Sequence, residues 1–192
     1  YRSLLPAHHP LICMIKADGY GTGAFELART LQEHRVEYLA VAVADEGREL
    51  RDRGIRTHIM IMNPELSVAE TLFSHHLEPE VYSFELLEGL AERARLAGLS
   101  AFPIHIKVDS GMHRLGFAPS ELSAVGSYLR EHPELRVSSV FSHLASADEP
   151  ELRAFTEGQA KAFLSATELL SEALGYQPKR HLLNTAGIER FP

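Results

Sequence analysis

The stretch LICMIKADGYGTG, residues 11–23, opens with an apolar run that ends at Lys16 and then passes into a glycine-rich turn. A short apolar run that leads into a glycine-rich turn predicts a buried strand. The residues after the turn repeat with helical spacing, and their apolar members fall on one helical face: Ala24, Leu27, Ala28 and Leu31. The stretch therefore predicts a strand, a turn and a helix that shields one side of a sheet.

The same alternation continues along the chain. Seven segments are predicted as buried or half-buried strands: 11–15, 38–43, 58–62, 77–82, 103–108, 139–141 and 181–184. Helix boundaries are also predicted, with Ser83 as an N-cap and with Gly54, Gly98 and Gly175 as C-terminal stops. Strands that alternate with helices imply parallel strands joined by right-handed crossovers, hence a (β/α)8 barrel or an open doubly wound sheet.

The length of the chain bears on this choice. Complete (β/α)8 barrels typically need about 250 residues, whereas this chain has 192 residues. The first predicted strand begins at residue 11, which leaves too little chain for a helix over the closing seam. We therefore expect residues 1–192 to form one α/β domain, a (β/α)8 TIM-type barrel with about seven of its eight strands, truncated at both ends.

The composition excludes several classes of protein. The net charge of −7, with 26 acidic and 19 basic residues, provides no global attraction to nucleic acid or to an anionic membrane. The single cysteine, Cys13, excludes a disulfide framework and a metal site built of cysteines. No apolar stretch approaches the roughly 20 residues that span a bilayer, and the N-terminus does not lead into a signal-peptide core. We expect a cytoplasmic protein.

Lys16 is the first candidate for chemistry because it would lie at the C-terminal mouth of the first strand. Neighbouring side chains are expected to desolvate its amine there, which favours the neutral form that attacks an aldehyde. The alternative is a lysine that merely extends from the strand end into solvent.

A rival interpretation uses the same turn. Gly19, Gly21 and Ala24 satisfy the dinucleotide-binding pattern G-x-G-x-x-A, and Asp45 follows after the next strand. The pattern is a poor match, because a dinucleotide fold places the first glycine at the strand end, whereas here residues 16–18 intervene. The position of the lysine favours the first interpretation.

Further candidates follow three later strands. The fifth predicted strand leads into KVDSGMHRLGF, residues 107–117, where Arg114 is suited to bind a carboxylate or phenolate oxygen with its planar fork of donors. A salt bridge from Arg114 to Asp109 is the structural alternative. His143 follows the sixth strand, where it can contact a ligand ring, although a lone histidine is usually structural.

After the seventh strand, Asn184 and Thr185 begin a small polar loop of the kind that binds phosphate, or else caps a helix. The paired histidines, His8 with His9 and His75 with His76, lack the spacing of a zinc site, so no metal is expected. The charge run 46–53 is interpreted as a solvated helix face.

Four motifs together closely resemble the alanine racemase family: IKADGYG at 15–21, KVDSGMHRLG at 107–116, SH at 142–143 and NTA at 184–186. They occur in the order and with the spacing of the family, and they cover almost the whole chain. Two of them are long enough to be specific. Composition and periodicity alone do not identify this family.

The resemblance implies that Lys16 forms a Schiff base with pyridoxal phosphate (PLP) and acts as the base on one face of the substrate α-carbon. Tyr20, Asn184 and Thr185 would then bind the cofactor phosphate. Thr185 stands where the family usually has serine, and Thr22 stands where histidine is frequent. The first change keeps the hydroxyl group, and the second has no evident chemical consequence.

By the same resemblance, Arg114 would contact the phenolic oxygen of PLP and the substrate carboxylate, and His143 would pack beside the pyridine ring. Lys107 matches a position where the lysine amine of the family can be carboxylated. The resulting anion would pair with Arg114.

The resemblance also implies a reaction and a partner. The parent enzyme would interconvert L- and D-alanine, supply D-alanine for peptidoglycan, and act as a homodimer. The family takes its second base from a tyrosine in the C-terminal β domain of the partner subunit, and no such domain is expected within residues 1–192. We expect the isolated chain to be inactive and poorly soluble. A non-catalytic PLP-binding barrel and a nicotinamide-dependent oxidoreductase remain alternatives, and a preference for serine over alanine stays open.

Overall fold

A computed structural model of the chain describes residues 1–6 and 9–191, so that Ala7, His8 and Pro192 lie outside the described residues. The chain divides into two compact units, which are described separately. The first unit is His8–Glu80, and the second consists of Val81–Pro192 together with Tyr1–Ala7. Among the described residues, no helix combines the length and the apolar character that crossing a bilayer requires.

The described residues of the first unit form the strands β1 (Ile12–Met14), β2 (Tyr38–Val41), β3 (His58–Ile61) and β4 (Leu77–Val81), and the last residue of β4 is counted with the second unit. Each strand pairs in parallel with the next, so the order is β1-β2-β3-β4. Apolar runs form these strands because both faces are covered, and Leu39, Val41, Ile59 and Ile61 are fully buried. A dinucleotide fold would place the first strand between the second and the fourth. The observed order contradicts that rival interpretation.

Among the described residues of the first unit, three helices lie between the strands: α2 (Ala24–Glu33), α3 (Ala44–Asp52) and α4 (Ala69–Ser74), with a short 3-10 helix at Leu66–Val68. The helical turn α1 (Lys16–Gly21) precedes α2, and its backbone is left-handed from Ala17 to Tyr20. Gly47 allows α3 to pack closely on the sheet, because a Cβ at this position would lie 2.9 Å from a Leu77 methyl group and 3.0 Å from one of Ile61. The β2-to-β3 crossover is thereby held tightly against the strands.

The described residues of the second unit form three parallel strands in chain order: β5 (Phe102–Lys107), β6 (Leu135–Phe141) and β7 (Lys179–His181). Its helices are α5 (Phe84–Leu96), α6 (Leu122–Glu131), α7 (Arg153–Leu174) and α8 (Thr185–Arg190), with 3-10 helices at Arg2–Leu4, Pro119–Glu121 and Pro150–Leu152. The core under these helices is apolar, and Leu87, Leu90, Ile104 and Val140 are fully buried. The predicted boundary residues are confirmed, since Ser83 accepts a hydrogen bond from Leu86 N at 3.3 Å and Gly175 ends α7 in the left-handed region.

The first five predicted strands are confirmed within two residues, but the last two predictions were wrong in their bounds. β6 begins four residues before the predicted 139–141, because buried Leu135 and Val137 alternate with exposed Arg136. β7 lies at Lys179–His181 instead of at 181–184, and it is formed by polar residues that pair with β6. Asn184 therefore follows the strand as a capping residue.

Candidate functional site

The turn after β1 carries Lys16 in an unusual backbone. Ile15 is buried, and from Ala17 to Tyr20 four successive residues adopt the left-handed conformation, with φ values of 53°, 52°, 61° and 57°. Glycine adopts this region freely and aspartate adopts it more readily than most residues, so the backbone strain in the turn falls mainly on Ala17 and Tyr20. The side chains of Lys16 and Tyr20 are exposed. The expectation that neighbours desolvate the Lys16 amine was therefore wrong.

Polar contacts within the turn hold this backbone. Asp18 accepts the N–H of Ala24 on its side chain at 2.8 Å, and it accepts the N–H of Gly23 on its carbonyl at 3.0 Å. The hydroxyl of Thr22 donates to the carbonyl of Gly19 at 2.6 Å. Asp18 thereby caps the start of α2 while it closes the left-handed turn. This gives a structural reason for an aspartate two positions after the lysine.

Glu46 holds the same turn from α3. One carboxylate oxygen accepts the N–H of Ala17 at 2.7 Å, and the other accepts the N–H of Ala42 at 2.7 Å and that of Val43 at 3.4 Å. The interpretation of 46–53 as a solvated helix face was therefore wrong at its first residue. An acidic residue in the first turn of a helix that follows a strand was the signal that sequence reasoning missed.

The loop after β5, residues 109–116, is closed by the backbone. Phe117 N donates to Lys107 O and Asp109 N donates to Phe117 O, each at 2.9 Å. The closure leaves no room for a side chain at Gly116, where φ is 130° and an added Cβ would lie 2.5 Å from Asp109 N. The long motif thus needs its final glycine to fold back on itself.

Asp109 organises the interior of this loop. Its carboxylate accepts the N–H of Gly111 at 3.0 Å and that of His113 at 2.9 Å, and it contacts the His113 ring at 3.1 Å. Burial raises the pKa of Asp109, but these N–H donors outweigh burial and leave the pKa below its ordinary value. The alternative of a salt bridge to Arg114 is not observed among the described residues, where the Arg114 guanidinium is exposed and makes no ion pair.

Lys107, at the end of β5, is buried beside aromatic rings. Its Nζ lies 4.3 Å from the centre of the Phe141 ring, and His181 stacks on the same ring at 4.6 Å. Ser139 links His181 to His105 through hydrogen bonds of 3.0 and 2.7 Å. Desolvation, with contributions from His105 and Lys107, lowers the pKa of His181 to about 3. The histidine is therefore neutral at physiological pH.

The loop after β6 carries His143 and is held by α7. Gln159, which is 2% exposed, donates from its side-chain amide to His143 O at 3.2 Å and accepts the N–H of Ala145 at 3.0 Å. The same side chain lies against Gly111, where an added Cβ would approach its Cγ to 3.4 Å. Gln159 was missed at the sequence level, since a buried glutamine inside a long helix leaves no pattern.

Asn184 connects the start of α8 to this loop. Its side chain accepts the N–H of Gly187 at 2.9 Å and donates to Leu144 O at 3.2 Å, so the predicted helix cap is confirmed. Thr185 is the first residue of α8 and is exposed. The first N–H groups of a helix have no intrahelical acceptor, and its positive end attracts anions. The second unit thus joins Asn184, Thr185 and the His143 loop, while Lys16 and Tyr20 belong to the first unit.

Comparison with known proteins gives a consistent result. The profile of the family "Alanine racemase, N-terminal domain" matches residues 1–192. The chain is 39% identical to the alanine racemase of Sorangium cellulosum and 39% identical to alanine racemase 1 of Oceanobacillus iheyensis, in each case over its full length. It covers 52% and 51% of those two proteins, so it spans about half the length of the curated relatives that it matches.

Solved structures agree with the sequence comparison. The alanine racemase of Clostridium difficile 630 superposes with a TM-score of 0.93 at 32% identity, over 100% of this chain and 50% of that protein. The alanine racemase of a D-cycloserine-producing Streptomyces lavendulae gives a TM-score of 0.91 at 27% identity, again over 100% of this chain and 50% of that protein. The predicted fold class, a (β/α)8 barrel represented by seven parallel strands, is confirmed.

Proposed function

This chain belongs to the alanine racemase N-terminal domain family, and from that premise we propose that the complete protein interconverts L- and D-alanine with PLP as its cofactor. The observation that carries the proposal is the family match across residues 1–192, which includes the turn of Lys16. The product D-alanine would serve peptidoglycan synthesis. We further propose a cytoplasmic homodimer, which the acidic composition, the single cysteine and the family membership support.

The turn after β1 is suited to hold the aldehyde of the cofactor. Lys16 presents an exposed amine directly after a buried residue, and the strained turn behind it is held by Asp18 and Glu46. A lysine amine bonds covalently to aldehydes in its neutral form. In the proposal Lys16 makes this bond, and Tyr20 binds the cofactor phosphate with its exposed hydroxyl.

The start of α8 is suited to hold the phosphate as well. Asn184 fixes the helix terminus through Gly187, and Thr185 offers an exposed hydroxyl beside N–H groups that have no intrahelical acceptor. Helix N-termini of this kind bind anions. Because Asn184 also donates to Leu144 O, the phosphate contacts and the His143 loop would be positioned together.

Arg114 and Lys107 are proposed to act on the anionic oxygens. The exposed guanidinium of Arg114 is suited to contact both the phenolic oxygen of the cofactor and the substrate carboxylate, since its donors match planar oxygen pairs. A carbamate on Lys107 would replace a buried positive charge with an anion that orients Arg114. His143 would pack against the pyridine ring from the loop that Gln159 fixes.

The cofactor, when bound, would withdraw electrons from the α-carbon and make its hydrogen acidic enough to be removed. The substrate amine would displace Lys16 from the aldehyde carbon, and the freed Nζ would take or return that proton on one face. Inversion needs a second base on the opposite face, which in this family is a tyrosine of the partner subunit's C-terminal domain. We therefore propose that residues 1–192 bind PLP without racemising alanine.

Borohydride reduction of the PLP-loaded complete protein, followed by peptide mapping, tests this proposal. We expect one adduct, on Lys16, and we expect Lys16→Ala to lose the adduct and to reduce racemisation by at least about 1000-fold. Lys161, an exposed lysine of α7, provides the matched control, because Lys161→Ala should change neither result. An adduct elsewhere, or full racemisation by Lys16→Ala, would refute the proposal. Tight NAD binding without an adduct would instead support an oxidoreductase.

A further inference from the structure

Glu46 connects two strand-end turns of the first unit. It lies in the first turn of α3, and its two carboxylate oxygens accept hydrogen bonds in different directions. One oxygen accepts from Ala17, the residue directly after Lys16, at 2.7 Å. The other accepts from Ala42 at 2.7 Å and from Val43 at 3.4 Å, which follow β2. One side chain therefore ties the turn after β1 to the turn after β2.

A helix cap explains only half of this arrangement. A glutamate three residues after the residue that starts a helix commonly reaches back to the N–H of that residue, and the contact with Val43 follows this local pattern. The bond to Ala17 spans 29 positions of sequence and satisfies no donor of α3. Capping therefore accounts for one oxygen of Glu46 and leaves the other for a separate role.

The turn that receives this bond needs an external contact. Its left-handed residues include Ala17, Asp18 and Tyr20, and this conformation brings the Cβ of an L-residue close to the following carbonyl oxygen, which strains the backbone. A strained segment persists only when surrounding contacts over-determine it. Asp18 secures the end of the turn through Ala24, and Glu46 secures its start at the peptide N–H next to Lys16. Bonds to a charged acceptor are stronger than those between neutral groups, which suits a site under strain.

We propose that Glu46 is a positioning residue for Lys16. By fixing the peptide that follows the lysine, it sets the direction in which the amine leaves the backbone and thus the approach of Nζ to the cofactor aldehyde and to the α-hydrogen. The inference rests on the proposed role of Lys16 and adds a residue that no motif of the sequence marks. Glu46 does not touch the reacting atoms itself, and it acts on Lys16 only through the peptide of Ala17.

Three variants of the PLP-loaded complete protein test the inference. Glu46→Ala removes both acceptor oxygens. Glu46→Gln retains one carbonyl oxygen that can still cap α3, and it presents an amide donor in place of the second acceptor. Glu49→Ala is the matched control, since Glu49 is an exposed glutamate of the same helix whose salt bridge to Arg53 is long, at 3.7 Å. The readouts are the rate of borohydride-trapped adduct formation at Lys16, kcat and KM for alanine, and the unfolding midpoint.

Misplacement of a reacting group by about 1 Å costs on the order of 100-fold in rate. We expect Glu46→Ala to lower kcat and the rate of adduct formation by about 10- to 100-fold, with KM within about threefold of the parent. Glu46→Gln should lower both rates while its unfolding midpoint stays close to that of the parent, and Glu49→Ala should match the parent.

Unchanged kcat and adduct formation in both Glu46 variants would overturn the inference. The same conclusion would follow if Glu46→Gln kept the parental rates and only Glu46→Ala lost activity in proportion to lost folded protein. Failure of the proposed function looks different, because the adduct would then be missing from Lys16 in the unsubstituted protein. A normal Lys16 adduct with no effect of Glu46 refutes only the positioning role.

Discussion

The turn after β1 and the loop after β6 both follow a buried strand, yet different kinds of side chain hold them. The turn of Lys16 is exposed and strained, and the carboxylates of Asp18 and Glu46 hold it. The loop of His143 is held by the amide of Gln159, which is buried and neutral. Buried neutral groups contribute to stability mainly because an unsatisfied partner is costly. Asp18 is exposed and Glu46 is half-buried, so water partly replaces their hydrogen bonds when these are lost. We therefore expect substitutions in the first region to affect mainly the geometry of the turn, and substitutions in the second region to affect mainly stability.

A third region, the loop 109–116, extends this comparison to a segment that its own backbone closes. Gly116→Ala would put a Cβ within 2.5 Å of Asp109 N at a φ of 130°. We expect a loss of about 4 kcal/mol in the free energy of unfolding, from backbone strain together with overpacking. Chemical denaturation measures the loss. Gly158→Ala is the control, because an added Cβ there has no neighbour within 4 Å. Equal midpoints for the two variants would contradict the close approach.

The second largest effect is expected at Gln159. Gln159→Leu would leave His143 O and Ala145 N without their partner, at about 1–3 kcal/mol for each group that stays buried. We expect a total loss of about 3 kcal/mol, which urea denaturation measures. Gln177→Leu changes an exposed glutamine in the same way and should cost less than about 0.5 kcal/mol. Similar losses for the two variants would show that the His143 loop does not depend on the buried amide.

A smaller effect is expected in the turn of Lys16. Asp18→Ala removes the cap on Ala24 N, and loss of such a cap costs about 1 kcal/mol. Asp45→Ala, in the exposed first turn of α3, is the control and should lower the free energy of unfolding by about 0.3 kcal/mol. Thermal unfolding of the three proteins measures both losses. If Asp18→Ala lost as much stability as Gln159→Leu, the proposed contrast between the two regions would fail.

The sequence predicted those features that depend on local pattern. Buried strands such as β2 and β3 appear as continuous apolar runs, because both faces of a parallel sheet are covered. β7 was misplaced because its residues Lys179 and Arg180 are exposed and polar, and only their pairing with β6 makes them a strand. The strand was predicted at 181–184 instead because Leu182 and Leu183 are apolar.

The residues of the candidate site also fall into two groups: those that a sequence motif predicts and those that only the folded chain reveals. Lys16 and Arg114 were found because they stand in long motifs at strand ends. Glu46 and Gln159 were missed because their roles depend on contacts with residues 29 and 16 positions away, which only the folded chain brings together. The left-handed turn was also unforeseen, since alanine and tyrosine do not favour that backbone and aspartate adopts it mostly as a single residue.

The pH dependence of the free energy of unfolding tests the contribution of one polar residue of the second unit, His181. The pKa of His181 is about 3 in the folded chain, against an ordinary 6.5, because burial disfavours its charged form. Between pH 6.5 and about 3 the unfolded chain therefore binds more protons, and the free energy of unfolding should fall as the pH decreases through this window. Denaturation at several pH values measures the slope. His181→Gln should reduce the slope, and an unchanged slope in that variant would contradict the prediction.

The smallest expected effect concerns the charge on Lys107. The positive charge of Lys107 contributes to lowering the pKa of His181, so the carbamate proposed for this lysine would reverse that contribution and raise the pKa of His181. NMR titration of His181 in bicarbonate and in CO2-free buffer measures the difference, and mass spectrometry under non-acidic conditions reports the modification. Lys179→Gln is the control, because it removes an exposed lysine of β7. The difference between the two titrations of His181 should remain in this variant. An unmodified Lys107 with identical titrations in both buffers would rule out the carbamate and leave Arg114 to act without an anionic partner on β5.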